Sequence, residues 1–268
     1  MAEILRIGYG KEDVSVYRTD GVSTLFAAEV GMVARGPAFL PSYTEGDNTV
    51  VVATDSMKNF IHMNALEYDE GSLEGFLELL ARRFMALYEQ AERIELHGRE
   101  APFARRSEQS FQRVGGDYGV AELALDRDGT LEHRSGREGL KLMKLTGSSF
   151  EGFVRDEYTT LPELRDRPLF VHLDVHWRNA DFAARADGEA IRDSLAATFA
   201  AFDSASIQEL VHEMGVKVLD VFPELAEISF VGQNRLWDTA QVSDSDERVR
   251  VYTDPRPPYG RIELTLGR

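Results

Sequence analysis

The stretch LFVHLDVHW, Leu169 to Trp177, places Leu169, Val171, Leu173, Val175 and Trp177 at two-residue steps, so the five share one face of a strand whose other face is more polar. Two helical patterns follow it. Ala190 to Phe202 is rich in alanine, and Ile207, Leu210, Val211, Met214 and Val218 form an apolar stripe at helical spacing. Strand character returns at Glu227 to Val231, Arg248 to Tyr252 and Ile262 to Leu266, and it precedes the central strand at Leu140 to Leu145.

The first half repeats this order. Alternation at Val14 to Tyr17 and Leu25 to Val33, with the apolar run Val50 to Ala53, predicts strands. Helices are predicted over Ser56 to Leu66 and after Ser72, a good N-cap for a face built from Leu73, Phe76, Leu77, Leu80, Phe84 and Leu87. Ile94 to His97 reads as a strand. Val120 to Leu125 turns at Asp126-Arg127-Asp128-Gly129 into Thr130 to His133 as a hairpin. Charge and glycine displace apolar residues between Arg134 and Gly139, which predicts a joint between two copies of one ββααββ unit, 1–136 and 137–268. The expected class is α+β, antiparallel sheet with helices on one face.

Composition narrows the function. The 268 residues carry 30 basic against 46 acidic side chains, a formal net charge of -16 that repels nucleic acid and anionic membranes. Screening confines that field to about 8 Å at physiological ionic strength, so locally placed arginine can still hold a small anion. Cysteine is absent, which excludes thiolate metal sites and cysteine nucleophiles. No apolar run approaches the ~20 residues of a membrane span and the amino terminus lacks a signal-peptide profile, so a soluble cytoplasmic protein is expected. Neither a phosphate-binding glycine loop nor a dinucleotide fingerprint occurs.

Two short runs are too polar for core and too specific for linker. In VVATDSMKN, Val51 to Asn59, an apolar stretch stops at Thr54-Asp55, where a hydroxyl and a carboxylate are expected to cap the following helix. In SSFEGFVRDEYTTL, Ser148 to Leu161, Phe150 stands between small residues and a charged turn, leaving its ring for stacking. Together they suggest a site for a flat, anionic heterocycle. A competing site is His172, Asp174 and His176 on one strand face, a set that a transition metal of an oxygenase could use or that could simply be solvated. Asp126 to Gly129 is a turn and not a calcium loop, because Arg137 stands where a twelfth-position glutamate is needed. Ser243 to Glu247 reads as a solvated acidic loop.

Taken as an ordered set, Tyr9-Gly10-Lys11, VVATDSMKN, SSFEGFVRDEYTTL with Asp166-Arg167, Ser204-Ala205-Ser206-Ile207-Gln208 and the Pro255 to Thr265 ending closely resemble the urate oxidase (uricase) family. The resemblance implies two tandem tunnelling-fold domains, a homotetramer around a β-barrel tunnel with active sites at subunit interfaces, and oxidation of urate by O2 and water without cofactor or metal. Phe150 matches the ring on which urate lies, and Arg167 and Gln208 match the residues gripping its two edges. Ile207 matches a backbone N–H donor. Thr54 and Asp55 match residues that reach urate from a neighbouring subunit. Lys11 with Thr54 matches a proton-moving pair, and Asn234 an asparagine at the oxygen or water site. The family usually has a histidine two residues after that asparagine, whereas here Leu236 follows Asn234-Arg235. This departure keeps a catalytically weak purine-binding protein as the alternative, unless ordered water or one of His62, His97, His133, His172, His176 and His212 substitutes.

Overall fold

The computed structural model describes residues 3–235 and 237–268, and the chain divides into two compact units, Met1–Gly136 and Arg137–Arg268. In the first, β1 (Tyr9–Thr19) and β2 (Leu25–Arg35) form an antiparallel hairpin, closed by Asp20, whose Oδ1 accepts the N–H groups of Val22, Ser23 and Thr24. A short 3-10 turn at Pro37–Phe39 and α1 (Leu40–Thr44) lead to α2 (Thr54–Glu67) and α3 (Leu73–Leu87). Then come β3 (Arg93–Glu100), the small ribbon of β4 (Phe103–Arg105) and β5 (Phe111–Arg113), β6 (Tyr118–Asp126) and the start of β7 (Leu131–Lys144). Strands run β1-β2-β3-β6-β7 across the sheet. Alternate residues Val14, Val16, Val30, Met32, Ile94, Leu96 and Leu123 are buried, as are Met57, Ile61, Phe76, Leu80 and Phe84 of the helices.

The second unit holds the rest of β7, then β8 (Leu169–Asn179), α4 (Gly188–Ala201), α5 (Ile207–Val221), β9 (Leu225–Asn234), the ribbon of β10 (Thr239–Val242) and β11 (Arg250–Tyr252), and β12 (Gly260–Gly267). Its strands run β7-β8-β9-β12, with β9 antiparallel to both neighbours. Every second residue of β8 is buried, and Trp177, Leu195, Phe199, Met214 and Phe230 close one core cluster. The class is α+β, and two strands, two helices and two strands recur in both units.

Four expectations differ from the structure. Val50 to Ala53 is not a strand. Its backbone groups are taken up by a turn and by side chains: Val51 N–H donates to Asn48 O, Val52 N–H to Tyr9 Oη, and Gln90 Nε2 to Val50 O. Leu140 to Lys144 is strand as expected, but it is continuous with the preceding strand in β7, which runs without a break through Arg134 to Gly139. Ser135 and Arg137 are buried there, and Arg137 is tolerated because its Nη1 donates to Glu189 Oε1 at 2.7 Å. Leu87, the last residue of α3, is exposed. Arg248 and Val249 lie outside β11, which pairs with β10 instead of the main sheet.

Candidate functional site

Three loops of the second unit are knotted together by backbone hydrogen bonds. Ser148 and Ser204 form a parallel bridge in which Ser204 N–H donates to Gly147 O and Ser149 N–H donates to Ser204 O at 2.9 Å. Arg167 N–H donates to Ser148 O at 2.9 Å, and Phe150 exchanges two bonds with Leu164. Gly147, at φ +77, starts the knot, and its N–H donates to Asp166 Oδ1. Just beyond Ser204, Ser206 caps α5 by accepting the Glu209 N–H, while Glu209 Oε2 accepts the Ala205 N–H. Ile207 and Gln208 therefore open the helix with N–H groups outside its own ladder. Asn234 ends β9, opposite Val171 of β8 and Gly260 of β12.

These elements bring Phe150, Arg167, Ile207, Gln208 and Asn234 around one pocket of about 180 Å³, with Arg261 also on its wall. The Arg167 Cζ lies 5.5 Å from the Phe150 ring centroid. Burial pulls this guanidinium below the ordinary arginine value, its Nε is buried without a hydrogen-bond partner, and among the described residues it has no carboxylate partner. A half-buried guanidinium beside an aromatic ring can donate paired hydrogen bonds to a planar anion. Phe150 also stacks on Phe153 at 4.9 Å and 11°. A larger cavity of about 430 Å³ in the first unit is lined by Arg93, Glu95, His97, Glu122 and Glu132 among others. Its arginines are neutralised: Arg93 pairs with Glu132 at 2.6 Å and Arg134 with Glu122 at 2.9 Å.

Lys11, Thr54 and Asp55 belong to the first unit. Gly10 lets β1 and β2 approach so closely that a Cβ there would stand 1.8 Å from Met32 O. Lys11 follows, opposite Met32 and just before a bulge where Asp13 takes φ 54. Thr54 and Asp55 form the first turn of α2 but do not cap it: Ala53 is the N-cap, and no side chain accepts there. The Asp55 carboxylate instead accepts from Lys58 Nζ at 2.5 Å and Asn59 Nδ2 at 3.1 Å. Its pKa is lowered, first by the Lys58 bond and least by the field of Lys11.

The histidine face does not assemble. His172 lies edge-on to Phe170, Asp174 Oδ1 accepts from Gly139 N–H, and His176 Nε2 lies 3.2 Å from Glu138 Oε1. Among the described residues no three His, Asp or Glu side chains are grouped to hold a metal ion. His62 sits at Ser15 O and His97 at Glu12. Leu236, where the sequence lacks the family's usual histidine, lies outside the described residues. Sequence reasoning missed Phe153, Leu161, Gly260, Arg261 and Ile262. The last three reach the pocket only through the pairing of β12 with β9, whereas the Ser206 to Glu209 spacing was a readable capping signal.

A sequence model of the family Uricase matches residues 7–120 and 133–263. The "Uric acid degradation bifunctional protein" of Bacillus sp. TB-90 is 40% identical across 94% of this chain, and the chain spans 58% of that relative's length. A uricase of Haloferax volcanii is 38% identical across 98% of both chains. The crystal structure of Bacillus sp. TB-90 urate oxidase superimposes with a TM-score of 0.90 at 38% identity, covering 97% of this chain and 99% of that one. No described helix is long and apolar enough to cross a membrane. By these matches the chain belongs to the uricase family.

Proposed function

We propose that this chain oxidises urate with O2 and water to 5-hydroxyisourate and hydrogen peroxide. The observation that carries this reading is the half-buried Arg167 guanidinium, lacking a carboxylate partner among the described residues, over the Phe150 ring in a pocket shared with Gln208 and Asn234. Urate lies flat on Phe150. Arg167 offers paired donors to one edge, and Gln208 with the Ile207 N–H meets the other. Asn234 holds O2 and later water near the ring. Two electrons pass from deprotonated urate to O2, which leaves as peroxide, and water supplies the hydroxyl at C5. The protein's part is to hold the reactants together and to move protons.

Lys11 and Thr54 carry those protons, and they arrive with Asp55 from a second copy of the chain in a homotetramer of tandem tunnelling-fold domains, 1–136 and 137–268. The family resemblance supports this assignment, and the packing of α2 on β1, with His62 Nε2 3.1 Å from Ser15 O, supports the pairing of Lys11 with Thr54 within one unit. The test is loss of the ultraviolet absorbance of urate with equimolar peroxide release, unchanged by a chelator. Absence of both signals contradicts the reading. Calorimetric binding of urate or 8-azaxanthine without O2 uptake would instead favour the purine-binding alternative that Leu236 keeps open.

A further inference from the structure

Tyr9 stands two residues before Lys11, on the same side of β1 by the alternation of a strand. Its hydroxyl accepts the Val52 N–H at 2.8 Å, and Val52 stands two residues before Thr54. This bond ties β1 to the irregular strap that feeds α2, a segment with no ladder of its own. The ring lies edge-on to the fully buried Phe39 at 5.0 Å, and Val52 is itself buried. Farther along, α2 lies against β1, with His62 Nε2 3.1 Å from Ser15 O. Burial pushes the Tyr9 phenol above its ordinary value, so the hydroxyl keeps its proton.

We infer that Tyr9 is a positioning residue that sets the relative placement of Lys11 and Thr54 through its bond to Val52. The inference rests on the reading of Lys11 and Thr54 as the proton-moving pair. Tyr9 touches neither substrate nor reacting atoms in this account, so it acts on turnover and leaves the urate pocket of the second unit alone.

The test compares Tyr9→Phe, Phe39→Leu and Lys11→Met as full chains, measuring kcat and KM for urate together with Tm. Tyr9→Phe keeps the ring and removes only the acceptor. One hydrogen bond of ordinary net worth predicts a kcat lowered about three- to tenfold with KM within twofold. Phe39→Leu loosens the same corner without touching the hydroxyl, and is expected to lower Tm while kcat stays within twofold. A Tyr9→Phe enzyme with the parent's kcat overturns the inference while Lys11→Met remains slow, and so does a Phe39→Leu enzyme that loses as much kcat as Tyr9→Phe. An unaffected Lys11→Met enzyme overturns it as well, and locates the failure in the proton-pair reading itself.

Discussion

Arg167 is where the charge of the molecule is locally reversed. An arginine held half-buried loses hydration, and a carboxylate partner would ordinarily repay that loss; on the proposed reading the urate anion takes that place. Arg167→Ala should therefore raise the urate KM by about 10- to 100-fold, the worth of charge-assisted bonds to an anion, with a smaller effect on kcat. Arg167→Lys should recover little, because an ammonium lacks the fork. Lys11→Met should do the reverse, lowering kcat by about 100-fold with KM nearly kept. Steady-state kinetics on the three variants checks both, and equal small effects would show the site to be misplaced. Phe150, Arg167 and Gln208 were legible as members of quoted runs. Phe153 and Arg261 were not, since a lone ring in a loop and an arginine on an edge strand carry no local signal.

Among the elements, the N-terminus of α5 matters most, because its first two residues face the pocket. Ser206→Ala removes the cap and should cost about 1 kcal/mol of stability while also raising the urate KM. Ser72→Ala at the start of α3 removes an equivalent cap, whose Oγ accepts the Gly75 N–H at 3.2 Å, and should cost about the same with kinetics unchanged. Thermal denaturation beside kinetics separates the two. Helices and alternating strands were readable because burial of one face imposes a period. Val50 to Ala53 misled because an apolar run also suits a strap bonded to side chains. The middle of β7 misled because its buried arginine is compensated by Glu189, a partner 52 residues away that no local window contains.

At the scale of the whole molecule, His172 gives stability a pH dependence. Burial, with the neighbouring Arg235 and Lys141, holds the imidazole below its ordinary value, so the folded chain takes up this proton less readily than the unfolded chain. Its contribution is therefore present above about pH 6.5 and is lost as pH falls through the lowered folded value. Tm should decline between pH 7 and pH 5, and His172→Gln should flatten that decline. An unchanged slope would contradict the assignment. On the proposed reading, a pocket in the second unit of one copy is completed by Lys11, Thr54 and Asp55 of another. This completion is tested most directly by co-expressing Arg167→Ala and Lys11→Met chains and assaying urate oxidation below the parent KM. Random pairing across a symmetric interface leaves about one site in four with both halves intact, so the mixed assembly should regain about a quarter of the parent's activity. A mixed assembly no more active than the two variants alone would contradict the account.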